Sequence, residues 1–330
     1  MITLLAGDIG GTKTLLALYQ LQAGGDLELL RYERFVSADW DDLSPMLSSF
    51  LSAGEPTPAA ACLAVAGPVE AGQAQLTNLS WQLDCKQLVA ATGIERVELV
   101  NDFAVLIYGL PHLTPQQQAQ IRSGVGRSDA PLLVLGAGTG LGVAYGVPTP
   151  TGLVAMASEA AHGEFAPRSQ PEWELKQWLA RARGLERVSI ERVVSGTGLG
   201  EVARWLLHIR HPEGDHPLWP LADGSELPAA VAASAARGES LAATALELWI
   251  GCYGSLCGDL ALAGLSRGGV WLAGGTAGKL LEALRSPSFN QAFLNKGRLQ
   301  PVLETIPITA VIDPAIGQFS AACRARMLLA

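Results

Sequence analysis

The sequence predicts an α/β protein built from two like halves, the second larger and richer in helix. Three observations predict it. An apolar strand, a glycine-rich corner and a second apolar strand occupy Leu4–Leu18, and the same plan returns at Leu132–Ala144 as Leu-Leu-Val-Leu-Gly-Ala-Gly-Thr-Gly-Leu-Gly-Val-Ala. Strands and amphipathic helices alternate after the first three strands, the order of a sheet with helices on its faces. The 330 residues, 49% hydrophobic and 16% charged, are enough to bury two cores.

In the first half, strands are predicted at 3–8, 14–21, 27–36, 60–66 and 96–100. Short glycine-bearing connections make the first three an antiparallel meander, and the helical stretches 41–53 and 84–91 make the later ones parallel crossovers. A boundary is expected at Pro111–Pro115. The second half restarts at 132 and continues with helices at 171–183, 197–209, 227–236 and 239–263 and a strand at 269–273. Beyond Ile306 the pattern is a short strand, Asp313-Pro314 and a terminal helix that crosses back onto the first domain. The expected domains are therefore 1–112 plus 313–330, and 113–312.

The net charge of -8 and the absence of a Lys/Arg run exclude a nucleic-acid surface. Five cysteines, an odd number set mostly in apolar runs, read as reduced core thiols of a cytoplasmic protein. The N-terminus opens directly on a strand, with no room for a signal peptide. No uninterrupted apolar stretch reaches the ~20 residues of a membrane span. His208, His211 and His216 fall in or beside a surface loop, without metal-ligand spacing.

Glycines between two apolar strands let backbone N–H groups approach a ligand, which turns a corner into a phosphate cradle. Either corner alone is equally an ordinary β-hairpin. Their recurrence at equivalent places favours one polyphosphate held by both. Only the first carries a carboxylate, Asp8, suited to magnesium directly or through water.

Val97–Val100 is a strand ending in Asn101-Asp102, with a helix expected immediately after. A carboxylate at the carboxyl end of an α/β strand lies where such folds bind ligands, so Asp102 is a candidate general base and Asn101 its hydrogen-bonding neighbour. Capping the helix is the competing role. Glu159, His162 and Glu164 cluster after a strand, and Glu191 precedes another glycine turn. Several hydrogen-bonding groups of this kind suit a ligand rich in hydroxyls, such as a sugar. Leu272-Ala273-Gly274-Gly275 is a third strand-to-glycine corner, fit to admit a base and ribose.

Together these residues resemble the bacterial glucokinase family, in the sugar-kinase branch of the actin-like ATPase superfamily. The resemblance rests on Gly7-Asp8-Ile9-Gly10-Gly11-Thr12, Asn101-Asp102-Phe103, Gly136–Gly142 and Leu272–Gly275, with Ala66-Gly67-Pro68-Val69 and Thr77-Asn78-Leu79-Ser80-Trp81 in support. It covers essentially the whole chain. It implies two ribonuclease H-like lobes with a cleft between them, and transfer of the ATP γ-phosphoryl group to the 6-hydroxyl of D-glucose. Asp102 would take the proton; Asn101, Glu159, His162 and Glu191 would hold the other hydroxyls. Gly7, Asp8, Gly10, Gly11, Thr12, Gly138, Thr139, Gly140, Gly274 and Gly275 would bind the nucleotide, with Mg2+ at Asp8 through water. A homodimer is expected, with neither nucleic acid nor membrane as partner. The chain departs from the family at Ala160-Ala161, where two glycines are usual. The zinc motif and helix-turn-helix of the repressor relatives are missing. A kinase for another hexose, a donor other than ATP and a non-catalytic sugar-binding regulator are the alternatives.

Overall fold

The computed structural model describes residues 2–51, 56–76 and 79–329. The resemblance's Thr77 and Asn78 and the end of the predicted helix 41–53 lie outside them. The chain divides into two compact units. The first holds the chain through Thr114, Thr149–Ala157 and the C-terminal segment from Asp313; the second holds Pro115–Pro148 and Ser158–Ile312.

The first unit's sheet has the order β3-β2-β1-β4-β8, with β1 at Ile2–Ile9, β2 at Lys13–Leu21, β3 at Leu27–Val36, β4 at Ala60–Val65 and β8 at Val97–Asn101. β1, β2 and β3 form the antiparallel meander, and β4 and β8 are parallel to β1. All six residues of β4 are buried, as a central strand covered on both faces requires. Three strands of two or three residues, β5 (Val69–Glu70), β6 (Gln73–Gln75) and β7 (Gln82–Asp84), make a small separate sheet. They are too short for an alternating pattern to reveal. The helix Ile316–Met327 packs on β1 and β4 of this unit. It is held there by a bidentate pair from Arg324 to Glu98 at 2.6 and 2.9 Å, while the same guanidinium lies 4.8 Å from the Tyr108 ring centre.

The second unit repeats the plan. β10 (Leu132–Ala137) pairs antiparallel with β11 (Leu141–Thr149) and parallel with β13 (Gly269–Leu272), which is parallel to β14 (Ile308–Val311). β12 spans Gly152–Ser158, of which all but Ser158 belongs to the first unit. β9 (Gln118–Arg122) borders β14 antiparallel. Its Ala119 and Ile121 alternate with polar residues and pack partly buried against the core, but two apolar positions in five residues are too weak a signal to single out a strand. The helices Gln170–Arg183, Gly196–Arg210, Leu227–Ala236 and Ser240–Ala263 surround one large core.

Ser240–Ala263 is long and apolar enough to cross a membrane by length and composition, although Glu247 and Asp259 interrupt its apolar run, and 67% of its apolar window is buried in the fold. Its Gly254 and Gly258 face Phe289 and Phe293 of the helix Pro287–Leu294. A β-carbon at either glycine would stand 2.3 Å from a carbonyl oxygen, so the two backbones touch. All five cysteines are free thiols, four of them buried, and burial raises them all; Cys323 is pushed up to about 11.

Candidate active site

The first unit brings Asp8 and Asn101-Asp102 to one edge of one sheet. Register places Ile9, Val65 and Asn101 in one row across parallel β1, β4 and β8. At roughly 4.8 Å between strands, the ends of β1 and β8 are about 10 Å apart. Gly10–Thr12 close the corner between β1 and β2, where the Gly10 N–H donates to Lys13 O at 3.0 Å. Ser37 braces the corner: its hydroxyl donates to Gly10 O at 2.8 Å and its N–H to Thr12 O at 3.1 Å.

Burial raises the Asp8 carboxyl above its ordinary range, with Lys13 partly offsetting it. A half-buried carboxylate oxygen beside a phosphate-type corner is the donor chemistry that magnesium takes, completed by water and phosphate oxygens. Asp8 therefore fits the ion. Among the described residues no group of three or more His, Cys, Asp or Glu side chains forms an all-protein metal cage.

Asn101 reconciles the two roles the sequence left open. Its Oδ1 accepts from Phe103 N–H and Ala104 N–H, each at 3.0 Å, in the manner of a cap. Its Nδ2 donates to Gly67 O and to Asp102 Oδ1, both at 3.1 Å. Asp102 Oδ1 also accepts from Phe103 N–H at 3.0 Å. The amide thus caps with one end and aims the carboxylate with the other. The helix does not start at once: Asp102–Val105 form a turn, and helix begins at Leu106.

In the second unit, the Gly138–Gly140 corner occupies the place in β10–β11 that Gly10–Thr12 holds in β1–β2. Three hydrogen bonds tie it to the segment Glu191–Thr197. Leu141 N–H donates to Glu191 Oε2 at 2.9 Å, Gly196 N–H to Gly138 O at 2.7 Å, and the Thr197 hydroxyl to Thr139 O at 2.8 Å. Gly274, at φ +81°, turns β13 into the short helix Gly275–Lys279, whose Thr276 hydroxyl donates to Ala137 O at 2.6 Å.

Gly138, Thr139, Gly275 and Thr276 line a cavity of about 650 Å3, within the usual size range of ligand pockets. A β-carbon at Gly138 or Gly275 would meet nothing within 4 Å, and neither backbone is left-handed. No protein neighbour demands glycine there, whereas a phosphate chain lying on the backbone would. The cavity also takes in Asp223, Ser225, Pro228, Ala229, Ala232 and Lys279, which sequence reasoning missed. The helix Leu227–Ala236 that carries three of them reads as plain Ala-rich helix and gave no signal, whereas Lys279 could have been found from its place just after the third glycine corner. A larger concavity of about 870 Å3 in the same unit contains Arg168 and none of these residues, and Arg168 is paired to Glu172.

Glu159 and His162 stand together at the end of β12, mostly exposed, with His162 Nε2 3.6 Å from Glu159 Oε2. That is an ion-pair distance, too long for a hydrogen bond, so both side chains keep hydrogen-bonding capacity for a ligand. Ala161 is buried and Ala160 packs partly buried against the core. Their two methyl groups therefore point into the fold. Glu164 leaves the group, paired with Lys176 at 2.6 Å. Of the loop histidines, His216 is buried, 3.3 Å from Glu239 Oε1, contrary to the exposure expected of a surface loop.

A glucokinase family model matches residues 5–328. A glucokinase of Synechocystis sp. is 39% identical over 97% of this chain and 97% of its own length. One of Trichormus variabilis is 38% identical over 99% of this chain and all of its own. The crystal structure of a glucokinase from an Antarctic psychrotroph is similar with a TM-score of 0.84 at 29% identity, covering 98% of this chain and 99% of that one.

Proposed function

We propose that this chain, which belongs to the glucokinase family, transfers the γ-phosphoryl group of ATP to the 6-hydroxyl of D-glucose, giving glucose 6-phosphate. The observation that carries the reading is Asp102, a carboxylate at a strand end whose Oδ1 is fixed by two hydrogen-bond donors. Phosphoryl transfer asks little covalent chemistry of a protein beyond positioning and charge stabilisation, so an aimed base and a phosphate cradle are the required parts.

Asp102 takes the proton of the 6-hydroxyl as the oxygen attacks the γ-phosphorus and the bond to the ADP leaving group breaks. Asn101 keeps Asp102 in its orientation, and Glu159, His162 and Glu191 hold the remaining sugar hydroxyls; Asn101, whose amide is fully bonded within the protein, joins them only by exchanging one of those bonds. Gly138, Thr139 and Gly275, which line the 650 Å3 cavity, hold the nucleotide together with Gly140 and Gly274 of the same two turns, and Gly7, Asp8 and Gly10–Thr12 are assigned to its phosphates. Mg2+ held by Asp8 through water would offset charge on the β- and γ-phosphates. Five unpaired cysteines support a reducing, cytoplasmic setting. A homodimer belongs to the same reading, and light scattering in solution tests it.

Phosphorylation assayed across glucose, fructose, mannose and N-acetylated amino sugars tests the substrate. Glucose is expected to give the highest kcat/KM; a clearly higher value for another hexose overturns the assignment.

A further inference from the structure

Gly140 belongs by sequence to the phosphate turn, yet its tightest constraint lies elsewhere. Its backbone is not left-handed, so conformation does not demand glycine. A β-carbon there would stand 2.5 Å from Glu191 Oε2 and 3.3 Å from its Cδ. The same oxygen accepts the Leu141 N–H at 2.9 Å, the first amide beyond the turn. Gly138, two residues earlier, would accept a β-carbon without meeting any protein atom. One glycine of the turn is thus bare toward ligand, and the other is bare toward a carboxylate.

Glu191 is fixed from its main-chain side as well. The Ser195 hydroxyl donates to Glu191 O at 2.8 Å and accepts Gly198 N–H at 2.9 Å as the cap of the helix Gly196–Arg210. With its backbone held there and Oε2 held by Leu141, the side chain has one orientation and Oε1 remains as the second acceptor.

We propose that Gly140, together with the Leu141 N–H, is a positioning element for Glu191, so that the phosphate turn sets the geometry of a sugar-holding carboxylate. The proposal rests on the reading of Glu191 as a sugar ligand. Adding a methyl group at 140 has a cheap escape, because the atom it strikes is the end of a flexible side chain. The turn survives, Glu191 swings away, and the loss falls on sugar binding.

Glucose affinity measured calorimetrically without nucleotide, for wild type, G140A, E191A and G140A/E191A, tests this. A hydrogen bond to a charged group corresponds to about 10-fold to 150-fold in affinity, so E191A is expected to weaken glucose by that range and G140A by at least about 10-fold. In the E191A background, G140A should change affinity less than about 2-fold, since nothing remains for the methyl to strike. In steady state, G140A should raise KM for glucose more than KM for ATP. If E191A weakens glucose but G140A does not, or if G140A acts equally in both backgrounds, the positioning role is overturned. If E191A itself leaves glucose affinity unchanged, the sugar-ligand reading of Glu191 falls and the proposal with it. Should G140A fail to fold, E191D replaces it: the shorter carboxylate cannot reach Leu141 N–H and a hydroxyl together, so it should weaken glucose nearly as E191A does. Wild-type affinity in E191D overturns the role.

Discussion

Replacing Asn101 by Asp separates capping from contact with the proposed base at a residue that makes both kinds of bond. The substitution keeps an Oδ1 able to accept Phe103 N–H and Ala104 N–H, bonds now at 3.0 Å. It replaces the amide that donates to Asp102 Oδ1 and Gly67 O at 3.1 Å by a second carboxylate. Two unit charges about 4 Å apart repel by about 4 kcal/mol at an effective dielectric of about 20, more than a single hydrogen bond recovers. A repulsion of that size is worth about 3 pH units, so a proton shared by the pair persists toward neutral pH and is lost as pH rises, and while it sits on Asp102 the base cannot accept another. At pH 7 we expect kcat to fall by about 10-fold, part from the protonated fraction and part from the lost orientation of Asp102, with a steeper loss at lower pH and partial recovery as pH rises. Asn101→Ala should instead lose both functions, with about 1–3 kcal/mol of stability gone along with activity, because it strips the cap and leaves Gly67 O unpaired. Initial rates from about pH 6 to about pH 9, alongside urea unfolding, read both effects. A wild-type kcat and unshifted pH profile in N101D would refute the idea that the Asn101 amide aims Asp102.

Two further outcomes concern stability. Gly254→Ala and Gly258→Ala each force a methyl against a carbonyl 2.3 Å away, which as backbone cannot swing aside; overpacking in the upper part of the usual range, about 2–3 kcal/mol, less the ~1 kcal/mol that alanine gains in a helix, leaves a net loss of about 1–2 kcal/mol. An unchanged or higher urea midpoint in either variant contradicts the backbone contact. For Asp8, burial raises the carboxyl above its ordinary 3.8, so the folded state holds the proton to higher pH than the unfolded state does. This group's contribution is present at low pH and lost as pH climbs through the raised value. In metal-free buffer, the stability of D8N relative to wild type should grow from about pH 4 upward and then level off; a flat difference removes burial as the cause.

Much of the fold was legible because its signals are local and strong. β1, β4 and β10 are continuous apolar runs ended by glycine or small residues, and the helices Gln170–Arg183 and Gly196–Arg210 have serine caps and periodic apolar faces. β9 escaped notice because its alternation amounts to Ala119 and Ile121 alone, and the three-stranded sheet of β5–β7 because members of two or three residues are too short to display an alternation. At the site, the residue types of Asp8, Asn101, Asp102 and Glu191 were legible from their places at strand ends and turns. Their partners were not. That Asn101 caps and orients at once, that Glu191 grips the Leu141 N–H, and that Asp223 and Ser225 line the nucleotide-sized cavity all depend on contacts between distant segments. Glu164 showed the converse: adjacent in sequence to the sugar group, it is drawn off by Lys176 of a neighbouring helix.

The most direct test of the account is Asp102→Ala, assayed for glucose 6-phosphate formation from ATP and glucose and, separately, for glucose binding. The account predicts a kcat lower by about 10²–10⁴ with glucose affinity within a few fold of wild type, because the base acts on the reacting proton more than on the bound sugar. An unchanged kcat would contradict it.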